Sequence, residues 1–218
     1  MIWHVFQRAL ESGAQSVWIA TDDERIAERV RQFTDQVLIT AVDHSTGTDR
    51  LAEVVERLGL PDEAVVVNVQ GDEPLLPGSA IDQVASLLRA CPEAGVATLC
   101  EPITERRDLM DPHQVKVVFN ADGRALYFSR APIPGHPEGA LGLHFRHIGL
   151  YAYRAGFLRQ FTTWGPTPLE QHERLEQLRA LEHDIRIQVA VTSQPIPPGV
   201  DTETDLARVR AKFEQSHV

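Results

Sequence analysis

Cysteine is nearly absent from this chain. Cys91 and Cys100 are the only two, and they form neither a C-x-x-C pair nor a zinc spacing. That excludes a structural zinc site of the common kind and points to a reducing, cytoplasmic compartment. No apolar run is long enough to span a bilayer. The N-terminus lacks the basic-then-apolar layout of a signal peptide. Positive charge is also short: 21 Lys and Arg stand against 31 Asp and Glu, a net charge of −10. Nonspecific nucleic-acid binding needs a basic footprint, so that class is excluded. A small phosphorylated ligand is not, because it needs only a local basic pocket. Internal repeats and low-complexity tracts are missing too. What remains is an ordinary globular composition, 218 residues with 43% hydrophobic and 24% charged. It suits one large domain, or one domain with an insertion.

The first two-thirds alternates helix and strand. Residues 1–12 read as an amphipathic helix ended by Gly13. Residues 16–20 read as a buried strand, 22–32 as a charged helix and 36–39 as a short strand. In the next helix, 48–58, Leu51, Val54, Val55 and Leu58 follow the i, i+3, i+4, i+7 spacing, and Gly59 closes it. A strand at 64–69, a helix near 79–90 and a strand at 96–99 follow. This rhythm predicts an α/β fold with a mostly parallel sheet and helices on both faces. The pattern then changes to a β-rich sub-region, about 115–155. Strands at 115–120 and 124–129 flank the hairpin signal Asp122-Gly123. A Pro- and Gly-rich loop covers 130–143, and a strand covers 147–153. A helix at 169–181 turns Leu175, Leu178 and Leu181 inward. A strand at 185–191, a loop at 195–199 and a closing helix at 202–213 complete the chain. Thr202 or Asp201 caps that last helix, with Asp205 at its third position.

The chemistry-bearing segments sit at the ends of these elements. Val65-Val-Val-Asn-Val-Gln-Gly-Asp-Glu-Pro74 is a buried strand that runs into a turn. Gly71 permits a sharp turn and a close ligand approach. Asp72 lies at the carboxyl end of a strand, where open α/β sheets bind ligands, and a carboxylate there suits Mg²⁺ arriving with phosphates. An Asp that merely caps the turn is an equal reading of this segment alone. Asp201 before Thr202 reads first as a helix cap. The segment 43–50 is a polar loop entering a helix, where Gly47 exposes backbone N–H groups to an anion. Arg50 there can pair with a phosphate or carboxylate. Thr21 and Asp22 end a strand before a helix and read first as a cap. Arg130 ends a strand beside the Pro-rich loop. His147 and Tyr151, four apart on a strand, face the same side. Glu176 and Gln177 lie in a helix and read as solvated surface.

In order along the chain stand A-T-D, D-H-x-x-G-T-D-R, V-N-V-Q-G-D-E-P, A-L-Y-F-S-R-A-x-I-P, R-H-I-G-L-Y-A-Y, P-L-E-x-x-E-x-L-E-Q-L-R and G-V-D-T-x-x-D-L. Each is weak alone, but the ordered set is specific. It closely resembles the 3-deoxy-manno-octulosonate (KDO) cytidylyltransferases over essentially residues 1–210. The resemblance implies a Rossmann-like nucleotidyltransferase fold in a single domain, 1–218, with the 115–155 sub-region serving sugar binding and dimer contact. It implies transfer of CMP from CTP to KDO with release of pyrophosphate, for lipopolysaccharide synthesis. Carried over by motif, Asp72 and Asp201 hold Mg²⁺ and act with Arg50 in catalysis. Thr21, Asp22, Gly47, Arg50, Gln70 and Gly71 serve the nucleotide. Arg130, His147, Tyr151, Glu176 and Gln177 serve the sugar. A homodimer through 145–153 and the loop before it is implied as well.

Three departures stand out. The family's opening strand and its I-P-A-R-x-x-S-x-R-x-P-x-K loop, on the order of 25–30 residues, have no counterpart before Met1. The expected cause is a misplaced start codon or a fragmentary gene. A genuine truncation is expected to lose most CTP turnover and to leave unpaired backbone groups in the sheet. Thr46 stands where the family usually has Ser. The loop 135–142 lacks the aromatic and charged residues often found after I-P. Two further readings follow: a cytidylyltransferase for another acidic sugar such as sialic acid, and an inactive chain that only binds sugar or dimerises.

Overall fold

The computed structural model describes residues 1–44, 46–135 and 141–215. The loop expected at 135–142 therefore falls largely outside the described residues. Helix α1 (Ile2–Leu10) precedes strand β1 (Ile19–Thr21), helix α2 (Glu24–Val30), strand β2 (Val37–Ile39) and helix α3 (Gly47–Arg57). Strand β3 (Val65–Asn68), helix α4 (Gly78–Ala90), strand β4 (Ala94–Pro102) and helix α5 (Arg106–Met110) follow. The hairpin β5 (Lys116–Phe119) and β6 (Ala125–Ser129) comes next, then the long strand β7 (Phe145–Arg154). Helices α6 (Ala155–Phe161), α7 (Pro168–Glu173) and α8 (Gln177–Glu182), strand β8 (Arg186–Val191) and helix α9 (Glu203–Gln215) complete the order.

The α/β expectation holds, but the mostly parallel neighbours do not. Only β1–β2 and β4–β8 pair in parallel. β3, β4 and β8 do run in one direction, yet β7 lies antiparallel between β3 and β4 and separates them. β5 joins the same edge of β7 as β3, further along, through Lys116 opposite Arg146. The β-rich sub-region is thus threaded into the main sheet through β7, not appended to it. The register of β4 against β7 shifts between Thr98 and Leu99, an irregularity that re-aims side chains. Gly123 sits in the Asp-Gly hairpin with φ of 76°, a conformation glycine adopts without penalty.

The pairing is also interrupted. β1 and β2 form a two-stranded sheet of their own, and the other six strands form a second one. β3 is paired on one edge only, with β7. Its Val65, Val66 and Val67 stay half-buried, although such an apolar run would be fully covered in an inner strand. Side chains bridge the two sheets: Val17 packs against both the Phe6–Ile19–Val30 cluster and the cluster beneath α4.

Helices cover both faces of the larger sheet. α4 packs Ala80, Ile81, Val84 and Leu88 against Ala97, Leu99, Leu150 and Ala152. On the other face, α3, α6 and α8 bring Val55, Leu158 and Leu178 against Val96, Tyr153 and Ile187. Lys116 is fully buried, and its Nζ donates to the carbonyls of Asp111, Gln114 and Arg130 at 2.9, 2.7 and 2.6 Å. Those three bonds tie the hairpin to the chain that carries Arg130.

Candidate active site

At the end of β1 the capping residue is Asp23. It accepts from Arg25 N at 2.8 Å and starts α2. Asp22 is therefore not a cap, and instead accepts from Arg50 Nη2 at 2.8 Å. That hydrogen bond, chiefly, holds the Asp22 carboxyl below its ordinary range. Arg50 Nη1 meets Thr40 Oγ1. Thr21 is buried beside them and accepts from Asp23 N at 3.2 Å. Thr46 caps α3 by accepting from Asp49 N at 3.2 Å. A methyl group on Gly47 would stand 3.9 Å from the side-chain amide of Asn68. The start of α3 therefore meets the end of β3, and Thr21, Asp22, Gly47 and Arg50 lie around one corner.

β3 runs on into Gln70, Gly71, Asp72 and Glu73. Gln70 and Gly71 are exposed. Gly71 is not a positive-φ glycine, so the turn does not demand it. What it provides is open space, with Ile2 Cδ1 at 3.9 Å from where a Cβ would sit. The Asp72 carbonyl accepts from Val200 N at 2.9 Å, and Gly199 packs on the same oxygen. This contact brings the segment before α9 to the β3 turn. Thr202 caps that helix: Asp205 N donates to Thr202 Oγ1 at 3.2 Å, and Thr202 N donates to Asp205 Oδ2 at 3.0 Å. Asp201 is thereby left exposed and uncommitted. Between Asp72 and Asp201 lies Glu73, whose carboxyl is pushed up to about 7 by burial and by the charges of those two residues, against Arg146. Glu73 Oε2 has no hydrogen-bond partner among the described residues. Arg146 is itself held by Glu101, at 2.6 Å.

That excess of negative charge suits a cation. Among the described residues no three or more His, Cys, Asp or Glu side chains are grouped to hold one unaided. Mg²⁺ is commonly held by one or two carboxylates with substrate phosphates completing its shell, so the Asp72 and Asp201 pair fits that ion.

The third group lines a cavity of about 200 Å³ between α3, α8 and the sheet. Its polar lining is Thr48, Tyr151, Tyr153, Glu176 and Gln177, with Phe157 and Phe161 among the apolar walls. Glu176 does not behave as solvated surface. The expected helix 169–181 is broken at Arg174, which adopts the left-handed conformation with φ of 54°. The break turns Glu176 inward. Its Oε2 accepts from Thr48 Oγ1 at 2.9 Å, and its Oε1 is buried with no partner among the described residues. Burial raises its pKa, while the Thr46 and Thr48 hydroxyls oppose the rise.

Two of the sugar-side residues stand apart from this cavity. His147 is buried, and its Nε2 lies 2.9 Å from Thr98 Oγ1. Burial, then Arg146, lowers its pKa to about 3, so it is neutral at physiological pH. It touches the cavity only through the Tyr151 ring, at 5.2 Å between centroids. Arg130 donates to the carbonyls of Glu173, Pro112 and Arg174 at 2.9, 3.1 and 3.3 Å. Its guanidinium is engaged with backbone and does not line the cavity. Thr48, Tyr153, Glu73 and Arg146 were not singled out by the sequence reading as site residues. Tyr153 had a signal, since it is two residues from Tyr151 on one strand. A larger cleft of about 480 Å³ lies elsewhere and is lined by Asp43, Asp49, Glu53 and Glu56. Its charge is of the wrong sign for an anionic ligand.

Known proteins share this sequence pattern and fold. A family model described as Cytidylyltransferase matches residues 1–187. The 3-deoxy-manno-octulosonate cytidylyltransferase of Hahella chejuensis is 54% identical, over 99% of this chain and 88% of that protein. That of Halorhodospira halophila is 52% identical with the same coverage. A solved CMP:2-keto-3-deoxy-manno-octonic acid synthetase complexed with CTP superposes with a TM-score of 0.90 at 39% identity, over 99% of this chain and 88% of that one. A 4-diphosphocytidyl-2C-methyl-D-erythritol synthase, at 15% identity and a TM-score of 0.63, shares the fold. The chain belongs to the cytidylyltransferase family, among the 3-deoxy-manno-octulosonate cytidylyltransferases.

Proposed function

We propose that this chain transfers CMP from CTP to KDO, giving CMP-KDO and pyrophosphate for lipopolysaccharide synthesis. The observation that carries the reading is Glu176 Oε1, a buried acceptor with no partner among the described residues, in a cavity that also presents two tyrosines. A polyhydroxylated sugar supplies the missing donors and lays its apolar faces on the aromatic walls. The Hahella chejuensis and Halorhodospira halophila relatives carry 3-deoxy-manno-octulosonate in their names.

In the reaction the anomeric hydroxyl of KDO attacks the α-phosphorus of CTP. A new P–O bond forms, the α–β P–O bond breaks, and pyrophosphate departs. The protein supplies position and charge, not a nucleophile. Cys100 is buried with its thiol pushed up to about 12, far from thiolate chemistry. Asp72 and Asp201 would hold Mg²⁺. When bound, that ion neutralises charge on the phosphates and on the sugar acid. Arg50, steered by Asp22 and Thr40, fixes the nucleotide corner, and the exposed Gln70 and Gly71 stand between nucleotide and sugar. His147 braces the Tyr151 ring. Arg130 holds the 173–174 turn, from which it would have to swing to reach the sugar carboxylate.

A homodimer and a cytoplasmic location belong to the same proposal. β7 is an interior strand, flanked by β4 on one edge and by β3 and β5 on the other. Dimer contact would therefore use side chains at its entrance, where Leu143 is 72% exposed. No helix among the described residues is long and apolar enough to cross a membrane.

Pyrophosphate release tests the reading. With CTP and Mg²⁺ present, release is expected to depend on KDO and to be absent with sialic acid. Release that ignores KDO, or that sialic acid supports equally, sinks it.

A further inference from the structure

Glu176 has two oxygens in different situations. Oε2 accepts from Thr48 at 2.9 Å, with the Thr46 hydroxyl also against the carboxylate, while Oε1 is buried in the cavity with no partner among the described residues. A glutamate side chain has three rotatable bonds, so a buried carboxylate aims one oxygen at a ligand only if the other is tethered. Thr48 is suited to be that tether. It is 4% exposed, and it sits on the second residue of α3, whose N-terminal dipole favours a nearby carboxylate. The same helix carries Gly47 and Arg50, so the tether also fixes the cavity relative to the nucleotide corner.

We propose that Thr48 is a positioning residue for the acceptor sugar. Its hydroxyl saturates Glu176 Oε2 and thereby presents Oε1 to a KDO hydroxyl. The inference rests on the KDO reading given above.

The test is calorimetric titration of KDO into the full chain, with Mg²⁺ and CDP present. CDP occupies the nucleotide side without a pyrophosphate to release. Thr48→Val keeps the shape and removes the donor, and is expected to weaken KDO binding about tenfold, the range of one hydrogen bond to a charged group. Thr48→Ser restores the hydroxyl and is expected to bind within about twofold of the parent. The second readout is coupling. If Thr48 acts through Glu176, adding Thr48→Val to Glu176→Gln changes affinity no further, whereas independent packing effects add. Should Thr48→Val not fold, Thr48→Ala replaces it in the same cycle. Parent-like affinity in the Val or Ala variant overturns the proposal, and so does additivity with Glu176→Gln. A parent chain that does not bind KDO overturns the KDO reading itself, and this inference with it.

Discussion

Asp22 and Asp201 are available for chemistry because their neighbours do the capping. Asp23 starts α2 and Thr202 starts α9, so Asp22 is left to pair with Arg50 and Asp201 is left exposed. From the sequence alone, capping was the better reading of both aspartates, since Asp is among the best N-caps and ranks above Thr. Stability and activity should therefore separate at adjacent positions. Thr202→Ala is expected to lower stability by about 1 kcal/mol in urea unfolding, while Asp201→Asn leaves the unfolding midpoint nearly unchanged. Asp72→Asn and Asp201→Asn are each expected to lower pyrophosphate release at least about 100-fold, because charge stabilisation of this kind is a large share of phosphoryl-transfer catalysis. His147 gives a pH signature. Its folded pKa near 3 lies below the ordinary 6.5, so the unfolded chain binds the extra proton. Its contribution to stability is intact above about pH 6.5 and is lost as pH falls from there toward 3, at up to about 1.4 kcal/mol per pH unit. His147→Gln should show a smaller drop in unfolding free energy between pH 7.5 and pH 5 than the parent.

Among the elements, the break between α7 and α8 decides where the sugar side lies. The apolar spacing of Leu175, Leu178 and Leu181 reads straight through it, because periodicity reports the buried face and not the path of the backbone. A glycine at the break would have announced it, but the left-handed residue is Arg174. Arg174→Gly is expected to keep or slightly raise stability and to retain KDO affinity. Arg174→Val, β-branched in a left-handed position, is expected to lose about 1–2 kcal/mol and to weaken KDO binding by re-aiming Glu176; thermal melts and titration read both. Other elements were legible. The Asp122-Gly123 turn announced the β5–β6 hairpin, and the valine run announced β3. The short helices α5 and α6 were not, since five and seven residues give periodicity too few repeats to speak. Nor was the placement of β7 between β3 and β4, which is a long-range pairing that local pattern cannot encode.

For the molecule as a whole, the ordered motifs were enough to name a family. Among the described residues the sheet is divided in two. The division has a consequence in time as well as in space. Among the described residues, β1, β2 and α2 are joined to the rest by side chains, including the Asp22–Arg50 pair and Arg57 on the Ile39 carbonyl, without a backbone ladder to the larger sheet. Ile19 N–H is given to Gln36, so the next amide, Ala20, points the other way, toward the unladdered edge. A segment attached like this opens on its own, at less free energy than the centre of the molecule. Deuterium should accordingly enter 19–21 and 37–39 well before 96–100 and 150–153, and CTP should slow the first pair far more than the second. On that expectation CTP would order this segment as it binds, and part of its affinity would be offset by that ordering.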